Sequence, residues 1–260
     1  MKTTKLLALV GVTTFGIAVL APIGAHAESK SSQAKVEFIE SDQPEIVDPE
    51  IEEPETVDPE KPLPPTIEEN GVKVVYYPTL DFGTHLVTTA AAKYDAVIRT
   101  DESWTNEVTS TKRYLPAFIQ VQNEAAVKGW TVNATLGEFV AGSNKLNGAV
   151  VDFGSVTAVN QVGTAATAPT SISLTAGSTA PQSIASYTQD ASYSGLSINS
   201  VNFGSVSDTT NNLPSLVDVD KEDTTVKYNQ DVTLSLPAGS GMKANLEYMA
   251  DLEWTLAATL

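Results

Sequence analysis

The sequence predicts an all-β fold, a Greek-key or Ig-like β-sandwich with room for two packed β-subdomains, standing after a disordered, acidic, proline-rich segment. Three observations carry this. From Gly71 onward the chain is rich in Val, Thr, Ser, Ala, Gly and Asn and breaks into short runs separated by turn residues. Several runs alternate apolar with polar, as strands with one wet face do. Patterns with a period of 3.6 are missing, and "NEAAVKG" (123–129) is the best helical turn on offer.

The first 27 residues read as a secretory signal. Lys2 and Lys5 precede the apolar run "LLALVGVTTFGIAVLAPIGA", and "AHA" ends the segment, so cleavage is expected between Ala27 and Glu28 and the protein is expected outside the cell. No cysteine occurs in the 260 residues, which excludes disulfides, thiol chemistry, thiolate metal sites and a lipid-bearing cysteine. A domain without such staples is held by its core.

The next stretch, residues 28–70, reads as a linker. It contains "PEIVDPEIEE" (44–53) followed by "PETVDPEKPL" (54–63), a ten-residue unit written twice. Between Val36 and Asn70 thirteen acidic residues face the single base Lys61. Proline interrupts both ladders and the carboxylates repel, so an extended, solvated spacer is expected, at about 3.1 Å per residue. The net charge of −17 shows no basic face, which argues against nucleic acid as a partner.

The folded domain is expected over 71–260. Its candidate strands are "VKVVYYP" (72–78), "YDAVIRT" (94–100), "FIQVQN" (118–123), "WTVNATL" (130–136), "AVVDFG" (149–154), "SISLTA" (171–176), "LSINSVNFG" (196–204), "DVTLSL" (231–236) and "YMADLEWTLAATL" (248–260). A second near-repeat, "LDFGTH" (80–85), "VDFGSV" (151–156) and "VNFGSV" (201–206), places Phe before Gly and predicts three equivalent strand ends. The last candidate strand is long enough that a bend or bulge is expected in it.

Two of the three tryptophans stand in the near-copies "WTVNATL" and "WTLAATL" (254–260). Alternation puts Tyr248, Ala250, Leu252, Trp254, Leu256, Ala258 and Leu260 on one face, and Trp130, Val132, Ala134 and Leu136 on one face of the earlier copy. The opposite faces carry Met249, Asp251, Glu253, Thr255, Ala257 and Thr259, mostly polar, and Thr131, Asn133 and Thr135. Tryptophan on an apolar strand face is usually core, yet it is also a favoured interface anchor, and the pattern leaves both open.

Tyr248, Leu252, Trp254 and Leu256 spell the Y-x-x-x-L-x-W-x-L that closes WxL-domain proteins of Gram-positive bacteria, and "GWTV" resembles the family's first motif. Val132 stands where the name asks for Leu, a loss of one methylene. The resemblance spans nearly all of 71–260 and implies a non-enzymatic surface protein held non-covalently on the cell wall, with peptidoglycan or wall glycan as ligand. It also implies assembly with a companion membrane-anchored surface protein and other WxL proteins, for adhesion or nutrient capture on host or plant surfaces. On this reading Trp130, Val132, Tyr248, Leu252, Trp254 and Leu256 are the wall- or partner-binding residues. Consistent with non-covalent attachment, "LPAGSG" (236–241) is not the L-P-x-T-G of a sorting signal.

An enzyme is the weaker reading. His85 is the one histidine beyond the signal and no G-x-S-x-G surrounds a serine. Histidine-based zinc sites are excluded by number, and no cofactor is expected. The alternative function is a secreted carbohydrate-active or glycan-binding protein, for which paired carboxylates are plentiful but unmarked. "DVDKEDTT" (218–225) fails the EF-hand pattern, leaving a looser calcium loop with Asp218, Asp220, Glu222 and Asp223 against a solvated acidic turn.

Overall fold

A computed structural model describes residues 45–124, 127–163, 165–188, 196–208 and 226–259. The expected signal with its cleavage site at Ala27 and Glu28, the acidic cluster 218–223 and Leu260 lie outside these residues. So do Ala125 and Ala126 of the expected helical turn, whose ends Asn123 and Gly129 belong to strands.

The strands are β1 (Val57–Pro59), β2 (Ile67–Glu69), β3 (Val72–Tyr76), β4 (Ala92–Ile98), β5 (Trp104–Asn106), β6 (Lys112–Arg113), β7 (Ala117–Asn123), β8 (Gly129–Leu136) and β9 (Val140–Ala141). They continue with β10 (Asn144–Lys145), β11 (Val150–Phe153), β12 (Val156–Val162), β13 (Ile172–Thr175), β14 (Ser178–Thr188), β15 (Ser197–Phe203), β16 (Ser205–Ser207), β17 (Lys227–Leu236) and β18 (Leu252–Thr259). The all-β expectation holds, and each of the nine candidate runs contains a strand. The other nine strands, of which β12 and β14 are the longest, lie outside the candidate runs. β14 carries Pro181, which an edge strand with register shifts tolerates because the missing N–H faces no partner.

All pairings are antiparallel. Two five-stranded sheets, β12-β15-β7-β3-β2 and β13-β11-β17-β16 with β4 also on β17, and the three-stranded sheet β14-β8-β18 contribute to one shared apolar core. The pairing describes several small antiparallel sheets, with β1-β5-β6 and β9-β10 as two more.

The Phe-Gly repeat is resolved into two equivalents and one outsider. Phe153 and Phe203 end β11 and β15, are fully buried and pack with ring centroids 4.6 Å apart. The glycines that follow both press on the bulged part of β17: Gly154 N–H donates to Asp231 O, and Gly204 lies against Gln230. Phe82 sits in a loop that touches β4 through the bridge Asp81↔Val97, so the third copy is not a strand end of the same kind.

The expected solvated linker is corrected by the packing of its C-terminal part. Ile46, Val47, Asp48, Pro49 and Val57 are buried, and Ile46 and Val57 join Val75, Trp104, Leu115 and Phe118 in a second, smaller core. The expected boundary at Gly71 falls inside a hairpin: Asn70 and Gly71, both with positive φ, form the two-residue turn that joins β2 to β3. Composition misled here because proline and acid disfavour regular ladders in general. In this chain prolines occupy positions with no N–H to satisfy, and the repeat's branched aliphatics have somewhere to dock. In "FIQVQN" Phe118, Gln120 and Gln122 share a face that the acidic segment covers, leaving all three buried.

Candidate functional site

The two tryptophan phrases are hydrogen-bonded partners. β18 runs antiparallel to β8 with Trp130 opposite Ala258, Val132 opposite Leu256, Ala134 opposite Trp254 and Leu136 opposite Leu252. The phrase W-T-[VL]-x-A-T-L is therefore self-complementary about Val132 and Leu256. Each indole lies across from the alanine of the other copy, so large meets small twice and the two copies interdigitate on one face. That is a physical reason for writing the phrase twice.

This face is turned to the core. Trp130, Val132, Ala134, Leu136 and Trp254 are buried, and Tyr248, Leu252, Leu256 and Ala258 are half-buried against them. Trp130 stacks on Tyr187 at 6.1 Å, and Trp254 lies 6.3 Å from both Phe203 and Tyr77. The face assignment made from alternation stands. Trp130, Val132 and Trp254, at 2%, 0% and 7% exposure, present little surface of their own, whereas Tyr248, Leu252 and Leu256 are part-exposed. The shortened Val132 meets no penalty, because Leu256 lies opposite it and Ala185 is its partner on β14.

The other face of the same sheet is open. Thr131, Asn133 and Thr135 on β8, half-buried, and Glu253, Thr255, Ala257 and Thr259 on β18, exposed, give this face hydroxyls, one amide and one carboxylate. Ser183 and Ser186 extend it across β14, beside Asn133 and Thr131. Thr135 Oγ1 donates to Glu253 Oε2 at 3.4 Å, and Thr167 and Ser186 hydroxyls meet at 3.0 Å. Beyond Leu136 the ladder continues through Gly137 N–H to Asp251 O and the bridge Val140↔Met249. The step between these contains one extra residue on the Gly137–Val140 side, so the bulge expected near the start of the last strand lies in its partner. Val140 and Met249 are exposed there, giving the polar lattice an apolar end. These outward residues are the polar half of the alternation and are legible in the sequence as such.

His85 is engaged elsewhere. Nε2 donates to Phe82 O at 2.5 Å, the ring stacks on Tyr94 at 3.8 Å, and Nδ1 is buried without a hydrogen-bond partner among the described residues. A proton on Nδ1 has nothing to bond, and burial outweighs the nearby Asp81 charge, so the folded-state pKa is held below the ordinary 6.5. Between those two values the unfolded chain binds more protons than the folded one. Stability is thus full above about pH 6.5 and declines as the pH falls toward the lower folded value. His85→Asn is expected to flatten this part of a plot of Tm against pH between 8 and 5.5; an unchanged slope would assign it to other groups.

Among the described residues no group of three or more His, Asp or Glu side chains is placed to hold a metal ion, and no helix is long and apolar enough to cross a membrane.

No curated protein and no solved structure matches the chain. One family model does, described as WxL domain surface cell wall-binding, over residues 25–259. That span takes in the acidic repeats as well as both tryptophan phrases, in agreement with the packing of residues 45–60 on the β-domain. With both motif phrases paired in one sheet and the match covering nearly the whole chain, the protein belongs to the WxL family of cell-surface, cell wall-binding domains.

Proposed function

We propose that the chain holds to the peptidoglycan of the wall through the outward face of the β14-β8-β18 sheet, and that the buried tryptophan row beneath it keeps that face flat. The single observation that carries this is the division of the motif strands into a core-facing aromatic side and an outward polar side, with Thr255 exposed and Thr131, Asn133 and Thr135 half-buried. Hydroxyls and amides on a rigid sheet match the hydroxyl and acetamido groups of a glycan, and Val140 with Met249 offers apolar surface to a sugar face or a stem-peptide methyl. The binding is non-enzymatic on this reading. His85, the histidine a hydrolytic triad would need, has one nitrogen committed to Phe82 and the other buried. Assembly with companion surface proteins follows from the family and would use the remaining surface.

The chain has no native cysteine, so a single introduced thiol tests the face cleanly. Thr255→Cys is expected to co-sediment with purified cell walls as the unmodified protein does. Coupling it to a bulky polyethylene glycol maleimide should weaken co-sedimentation by about ten-fold or more, as exclusion of a whole contact face implies. The same conjugate at Lys243→Cys, in the exposed 241–247 stretch, should leave it unchanged. Equal binding by both conjugates would place the wall contact elsewhere.

A further inference from the structure

The covered face of the β12-β15-β7-β3-β2 sheet recognises a peptide backbone with side-chain amides. Gln120, fully buried, receives Val47 N–H on Oε1 at 3.1 Å and donates Nε2 to Val47 O at 2.9 Å, imitating a strand-to-strand bridge. Gln122 donates to Glu45 O at 2.7 Å, Gln161 to Asp48 O at 3.3 Å and Asn202 to Pro49 O at 2.8 Å. The carbonyl left over, Ile46 O, accepts Val57 N–H at 2.9 Å. Five consecutive carbonyls are thereby satisfied. Ser200, which receives an Nε2 hydrogen from both Gln120 and Gln161, ties the amides to one another.

Side chains add selectivity to this backbone grip. Ile46 enters the small core beside Trp104 and Phe118, Arg113 pairs with the fully buried Asp48 and with Glu50, and buried Pro49 brings no N–H. The motif shared is thus Val-Asp-Pro-Glu, and the chain contains it twice, as Val47–Glu50 after Ile46 and as Val57–Glu60 after Thr56. The second copy lies alongside the first, bonded through Val57 N–H to Ile46 O and Asp48 N–H to Glu55 O, with Lys112 taking Glu60. Each chain has two such segments and one amide ladder.

We propose that this ladder is a peptide-binding site for an extended Val-Asp-Pro-Glu strand, closed by the chain's own residues 45–60 and able to accept the same strand from a second copy of the protein. Exchange reproduces every contact and alters only the connection to β2, the condition under which swapping between copies costs least. That connection, Lys61–Thr66, holds Pro62, Pro64 and Pro65, is mostly exposed, and resists the sharp turns that favour closure within one chain. Crowding of copies on a surface raises the effective concentration of the donor strand. The site uses a different sheet from the proposed wall face, and its test contains no wall, so the two readings fail separately.

Pro49→Cys in one batch of the full chain and Asn202→Cys in another place thiols on either side of a contact now 2.8 Å long between Asn202 Nδ2 and Pro49 O. After warming the mixture together and adding a short bismaleimide, crosslinked heterodimer is expected at least about five-fold above a mixture of Pro49→Cys with Lys243→Cys, from the local concentration that docking confers. Excess decapeptide PEIVDPEIEE should suppress it, and the same peptide with lysine for its aspartate should not. The double variant Pro49→Cys/Asn202→Cys reports whether the ladder forms, by crosslinking within one chain. Internal crosslinking there, with heterodimer no higher than in the control mixture, would overturn exchange. Failure of both would overturn the ladder itself.

Discussion

Trp254→Ala is expected to lower stability by about 3–5 kcal/mol, the usual cost of emptying a buried indole site. The side chain is 7% exposed, packs between Phe203 and Tyr77, and faces Ala134, too small to refill the space. Guanidinium unfolding monitored by the remaining tryptophans measures the loss. Wall binding by the variant, at a temperature where it is folded, is expected to stay within about two-fold of the parent, because a supporting residue acts through the sheet's flatness and not through a lost contact. Trp254→Phe should recover most of the stability. A folded Trp254→Ala with near-parental stability and no wall binding would make the indole a ligand contact and overturn the assignment of the outer face.

Gly204→Ala is expected to be as damaging without touching any motif. Gly204 has φ +69°, and a Cβ there would stand 1.8 Å from Gln230 O, a backbone atom in a paired strand. The glycine N–H also donates to Ser155 O, so the chain cannot simply move away. Left-handed strain and forced separation of β16 from β17 together cost roughly 3–5 kcal/mol, or a fall in Tm of roughly 10 °C for a domain of this size. Gly142 supplies the comparison: its φ is +59° but nothing lies within 4 Å of the added carbon. Gly142→Ala should therefore cost only about 1 kcal/mol, the conformational part alone. Equal losses at the two sites would show that backbone strain, and not the close approach, dominates at Gly204.

The tryptophan phrases show how far local pattern reaches. Alternation with period two is a property of neighbouring residues, so the faces of β8 and β18 were legible, as were the run positions of the other candidate strands. The Phe-Gly repeat was legible for the same reason at Phe153 and Phe203, and failed at Phe82, where the same letters sit in a loop. Asn70-Gly71 was a readable hairpin signal, masked by the acidic composition of the residues before it.

The chain by itself determined the strand class, the two faces of each motif strand, the absence of thiol chemistry and the family. Tertiary structure decided which faces are wet. It paired Trp254 with Ala134 across 120 positions of chain, brought Gln120 under Val47, and buried Ile46 with Trp104. The reason is physical: burial is the result of what docks on a surface, and docking partners distant in sequence leave no trace in the local period that separates apolar from polar.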